Sequence, residues 1–117
     1  MKQLSDIAVD VPTLTAVKAF VTRIIADFPV AQIILFGSRA RGWFRPDSDA
    51  DLAILLQGAP VSFLPTKLAM ADIAYDILLE TGIRIQPLPI WEEEWQHPEK
   101  YTNPYLLRNI EQEGILL

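Results

Sequence analysis

The sequence predicts an α/β domain in which a small mixed sheet is backed by helices. Short apolar runs stand at Ile33–Phe36 and Leu52–Leu56, with another at Ile83–Leu88, and such runs bounded by turn residues read as strands. Around them, apolar residues recur every three or four positions from Leu14 to Phe28 and from Leu64 to Leu78, the spacing of one helix face. Half of the 117 residues are hydrophobic, enough for a core in a chain of common single-domain size. Residues 1–117 are therefore expected to form one domain.

Residues 1–11 are expected to be a loosely held lead-in. Asp10 or Thr13 caps the first helix and Pro12 lies in its first turn. Leu14, Val17, Val21, Ile24, Ile25 and Phe28 form its core face, and Pro29 stops it near Asp27. Val30–Phe36 is the first strand, apolar enough to be covered on both faces, and Gly37 ends it. Ser38–Gly42 makes a short helical turn and Trp43–Asp47 a loop, where Pro46 opposes regular structure. Ala50–Leu56 is the second strand, and Gln57-Gly58-Ala59-Pro60 turns the chain. Ser62 caps the next helix, whose buried stripe is expected to be Leu64, Leu68, Ala71, Tyr75 and Leu78, with Gly82 at its end. Asp72, Asp76 and Glu80 form an acidic ridge on it, a solvated face that also suits a basic partner.

Ile83–Leu88 is the third strand, which Pro87 and Pro89 confine to an edge or a strand end. Trp91-Glu92-Glu93-Glu94-Trp95 begins a helix whose acids suit an N-terminus. Asn103 and Pro104 start the last helix, Leu106, Leu107 and Ile110 give its apolar side, and Gly114 ends it. The tail Ile115-Leu116-Leu117 is apolar and suited to cover the sheet or a partner. His97 stands beside Pro98 with no second histidine or cysteine near it, so no ligand role is assigned to it.

Composition narrows the function. No apolar run approaches the roughly 18 residues of a membrane helix. The start, Met1-Lys2-Gln3-Leu4-Ser5-Asp6, is too polar for a secretory signal. Cysteine is absent, which removes disulfides and thiolate metal sites and is compatible with a cytoplasmic protein. A net charge of −5 disfavours direct nucleic-acid binding through phosphates and favours a basic protein partner. The apolar tail and long helix face are compatible with a homo- or hetero-oligomer.

The stretch Gly37-Ser38-Arg39-Ala40-Arg41-Gly42, followed by Ser48-Asp49-Ala50-Asp51-Leu52, carries the chemistry. Gly37 lets backbone approach a ligand closely. Ser38 and the amides of a tight turn can bind phosphate oxygens. Arg39 and Arg41 can offer cationic forks, with an ion pair to the aspartates as the alternative use. Asp49 and Asp51 alternate along a strand, so both point to one face. Two carboxylates held together call for a cation, and Mg²⁺ shared with phosphates is the usual solution.

Gly-Ser-x-Ala-Arg-Gly, five residues, then Ser-Asp-x-Asp-Leu resembles the signature of the minimal nucleotidyltransferases (MNT), members of the polymerase-beta-like nucleotidyltransferase superfamily. The resemblance implies the nucleotidyltransferase fold, with Gly37 and Ser38 holding a nucleoside triphosphate and Asp49 and Asp51 holding magnesium. Arg39 or Arg41 would steady the polyphosphate. Superfamily members often carry a third carboxylate on the next strand, and the matching position here is Gln86, with Arg84 the other candidate. A glutamine is a negligible general base. One glutamate of 92–94 is a possible replacement. Trp43 and Phe44 either stack on a base or pack their loop on the core.

Chains of this size resemble the antitoxin of HEPN–nucleotidyltransferase toxin–antitoxin pairs, of type VII. That implies transfer of AMP from ATP to a HEPN-type toxin. The alternatives are neutralisation of the toxin by contact alone, or a subunit acting on a small molecule.

Overall fold

The computed structural model describes residues 1–4 and 9–117. Its strands are β1 (Lys2–Gln3), β2 (Val30–Phe36), β3 (Ala50–Leu56), β4 (Ile85–Trp91) and β5 (Ile115–Leu116). The helices are α1 (Val11–Asp27), α2 (Ser38–Arg41), α3 (Phe63–Thr81), α4 (Glu92–Gln96) and α5 (Pro104–Glu113), with a 3-10 turn at Pro98–Lys100. The five strands form one sheet in the order β1-β5-β2-β3-β4. It is mixed: β2 runs antiparallel to β3 and β5, while β3/β4 and β1/β5 are parallel. The α/β class with a mixed sheet flanked by helices is the expected one.

Strand alternation sets the two sides. Ile33, Leu35, Leu52, Ile54 and Ile85 meet Phe20 and Ile24 of α1 and Met70 and Ile77 of α3. Ile34, Ala53, Leu55 and Ile90 point the other way, onto Leu107 and Ile110 of α5. Each buried Ile, Leu, Phe or Met among them contributes about 1.5–3 kcal/mol by leaving water. Helix α1 starts where Asp10 Oδ2 accepts from the Thr13 amide at 3.1 Å and from its hydroxyl at 2.8 Å, a cap worth about 1 kcal/mol. Asn103 caps α5 through the Leu106 amide.

Several expectations need correction. In α1, Ile25 is exposed, and Ala16 and Phe20 take core positions beside Val17 and Ile24. The lead-in is not loose throughout: Lys2–Gln3 pair with Ile115–Leu116 as an edge strand, while residues 5–8 lie outside the described residues. The tail is not a cover but strand β5, inserted between β1 and β2. The third strand runs on to Trp91, because β4 is the sheet edge. Pro87 and Pro89 share one parity, so their missing donors fall on the open side. In α3 the buried residues are Met70, Ala74 and Ile77, whereas Leu64, Leu68 and Tyr75 are exposed. That helix is apolar on more than one face, and period alone cannot say which face meets the sheet. Ser62 takes the cap position of α3 without a side-chain capping bond.

Candidate functional site

Strand β2 ends at a turn only glycine accommodates. Gly37 has φ 76 and ψ −159, and a Cβ there would run into Asp51 Oδ2. The backbone of the turn therefore lies directly against that carboxyl group. Helix α2 follows for a single turn, and left-handed Gly42 closes it with its amide on the Ser38 carbonyl. Ser38 is half-buried beside this turn.

Asp51 is the second residue of β3, paired with Phe36 of β2 and Gln86 of β4. All three side chains leave the sheet on the α5 side, opposite α1 and α3. Asp49 precedes β3 and is exposed. Burial raises the Asp51 pKa above its ordinary carboxylate value, the Asp49 charge adds to the rise, and Arg41 opposes it. The pair is thus short of positive charge. Two hard oxygen donors beside a tight turn fit Mg²⁺ that completes its shell with phosphate and water. Among the described residues no three acidic, histidine or cysteine side chains converge on this site.

The two arginines divide. Arg39 is buried, with Nε on the Ser48 carbonyl at 2.9 Å, one terminal nitrogen on Thr13 Oγ1 at 2.8 Å and the other on the Pro46 carbonyl at 3.1 Å. Its guanidinium also lies 4.6 Å from the centre of the Phe44 ring. Thr13 passes the contact on to Asp10, so a buried cation reaches a carboxylate through one hydroxyl. Arg39 thereby ties the loop before Asp49 to the start of α1. Arg41 is exposed, bonds Glu113 at 2.9 Å, and lies close enough to Asp51 to act on its charge.

Gln86 is exposed beside Asp51, while the Arg84 carbonyl accepts from the Ala50 amide. The glutamates after β4 do not supply a third carboxylate. Glu92 accepts from the Gly58 amide and Glu94 from that of Trp91, at the Leu56 end of β3, far from Asp51. Phe44 packs its loop under Arg39, and Trp43 stands 85% exposed just past α2. Sequence reading missed Thr13 and Ser48 as supports of the site. Thr13 is 26 residues from Arg39, and no local pattern links them.

The sequence model of the family described as "Nucleotidyltransferase domain" matches residues 17–117. No curated protein matches the chain. Among solved structures, a candidate nucleotidyltransferase from Sulfolobus solfataricus superposes with TM-score 0.58 at 20% identity, covering 89% of this chain and 78% of that one. A chain of a toxin–antitoxin complex solved with AMP-PNP superposes with TM-score 0.57 at 16% identity, covering 83% and 68%. At these identities the likeness is one of fold.

Proposed function

The chain belongs to the nucleotidyltransferase-domain family, and from that premise we propose that it transfers a nucleotidyl group, AMP from ATP, to a hydroxyl of a HEPN-type toxin as its antitoxin. Residues 1–117 are read as one nucleotidyltransferase domain, working in the cytoplasm. The observation that carries this is the Asp49–Asp51 pair set against the Gly37–Ser38 turn, with Arg41 beside it. The toxin–antitoxin complex with AMP-PNP among the structural neighbours supports both the partner class and the nucleotide.

In this reading the amides of the Gly37 turn and the Ser38 hydroxyl donate to triphosphate oxygens. Arg41 gives up its exposed contact with Glu113 to meet phosphate, a small loss for a surface pair. Arg39 is a positioning residue, fixing the loop that delivers Asp49. Asp49 and Asp51 would hold Mg²⁺, which would supply neutralisation of polyphosphate charge. The acceptor hydroxyl releases its proton to water as its oxygen bonds the α-phosphorus, the bond to the bridging oxygen breaks, and pyrophosphate leaves in line. Gln86 can orient the acceptor hydroxyl but takes no proton from it.

The test is transfer of labelled AMP from ATP to a co-expressed toxin partner, compared with Asp51→Ala. Transfer lost in the variant supports the reading, and absence of transfer by the wild type overturns it. Gln86 favours a second reading, neutralisation by contact without chemistry. There Asp49→Ala and Asp51→Ala still neutralise the partner in cells.

A further inference from the structure

One flank of α3, beside the edge strand β4, is not covered by another helix among the described residues. Leu64, Leu68, Tyr75 and Leu79 project from it, with Leu68 57% and Tyr75 59% exposed. Single apolar residues on a surface need no explanation, but these lie along one helix. They also have a register. Leu64, Leu68, Ala71, Tyr75 and Leu78 follow at steps of four, three, four and three, the a/d repeat of a helix that meets another helix. Met70, Ala74 and Ile77, which face the sheet, fall outside that repeat. Helix α3 thus carries two seams, one used by its own domain and one open.

We propose that the open seam pairs with α3 of a second copy of this chain, the two helices running parallel about a two-fold axis. Charge decides the occupant and the direction. In a parallel pair, the residue before an a position faces the residue five further along on the other helix. Here those are Lys67 and Asp72, so the two-fold gives two Lys67–Asp72 pairs between copies. An antiparallel pair would instead set Asp72 near Asp72 of the partner copy, across an axis at Ala71. Among the described residues neither Lys67 nor Asp72 has an ion-pair partner, and the Lys67 ammonium rests 5.9 Å from the centre of the Phe63 ring. Because α3 is already folded on the sheet, pairing bears no cost of helix nucleation. The inference is independent of the proposed chemistry. Helix α3 lies on the sheet face opposite Asp51, and the C-terminal part of its seam borders the β4 edge at Arg84–Pro87.

Sedimentation equilibrium of the full chain, over about 1–200 µM, tests this. The expected result is a reversible dimer. Leu68→Glu, Lys67→Glu and Asp72→Lys each weaken it by about tenfold or more, and Lys67→Glu combined with Asp72→Lys restores it. Leu68 and Asp72 are exposed and Lys67 is half-buried at the helix flank, so far-UV circular dichroism melts of each variant separate loss of pairing from loss of folding. A monomer throughout the range overturns the inference. So does a dimer indifferent to Leu68→Glu, or a double variant no better than the singles. A monomeric chain that binds a lysine-flanked leucine-heptad peptide through Leu68 also overturns it, in favour of a basic helical partner.

Discussion

Asp51 and Gln86 are direct partners in the parallel ladder between β3 and β4, and ladder partners carry their side chains on one face of the sheet. A carboxylate at position 86 would therefore join Asp49 and Asp51 rather than point into the core. Gln86→Asp is predicted to tighten divalent-cation binding, in the presence of a non-hydrolysable ATP analogue, by about tenfold, or about 1.4 kcal/mol. Without cation the third negative charge should destabilise the fold. Isothermal titration and thermal melts with and without Mg²⁺ check both directions. If neither moves, position 86 is not the third ligand position.

Arg39 and Arg41 stand two residues apart in sequence and predict opposite phenotypes. Arg39→Ala strands the Thr13 hydroxyl and two carbonyls and is expected to cost about 2–4 kcal/mol of stability. Arg39→Lys should recover little, because an ammonium cannot span three acceptors in a plane. Arg41→Ala should cost under about 1 kcal/mol, since its Glu113 partner is exposed. Its nucleotide affinity should nonetheless fall by about tenfold, equivalent to one charged phosphate contact. Urea melts beside nucleotide titrations separate the two. A destabilised Arg41→Ala with unchanged affinity would reverse the assignment.

Much of this division was invisible in the sequence, for reasons of distance rather than pattern. The Gly37–Gly42 turn and Asp49-x-Asp51 are local, so the chain itself states that turn, loop and strand follow one another. Whether an arginine points in or out depends on Thr13, far away along the chain. The same limit explains α3: with apolar residues on more than one face, its repeat marked Leu64, Leu68 and Tyr75, while the sheet selected Met70, Ala74 and Ile77. Ile115–Leu116 were legible as apolar but not as an inserted strand, because strand order is set by partners from both ends of the chain. Glu92 and Glu94 were near Gln86 in number, yet strand β4 carries them to the other end of the sheet.

Gly37 should be the least replaceable residue of the turn. Its φ of 76 with ψ of −159 lies in a region essentially reserved for glycine, where a side chain costs about 1–3 kcal/mol. The new methyl would also displace the Asp51 carboxyl. Gly37→Ala is therefore expected to keep the fold, to melt lower than wild type, and to lose Mg²⁺-dependent nucleotide binding by about a hundredfold. Gly42→Ala tests the contrast. It shares the positive φ, but no heavy atom lies within 4 Å of an added Cβ. It lies in the milder left-handed region, so it should lose less stability than Gly37→Ala and keep most of its affinity. Equal loss of binding in both would mean that the turn geometry, and not contact with Asp51, governs the site.

The raised Asp51 pKa makes this carboxylate a liability to the fold in the absence of a cation. Burial and the Asp49 charge both favour its protonated form. The folded state therefore binds the proton more tightly than the unfolded state, whose carboxyl stays near 3.8. Below that value both states are protonated and no penalty exists. The penalty grows as pH rises through the folded value and is fully present above it. Asp51→Asn, which removes the charge and keeps the shape, should raise the melting temperature at pH 7 in chelator-treated buffer. The gain should shrink as pH falls toward 4 and should also shrink when Mg²⁺ with an ATP analogue stabilises the wild type. A gain that stays constant from pH 4 to 8 would mean that the substitution acts through packing, and that Asp51 carries no unbalanced charge for a cation to relieve.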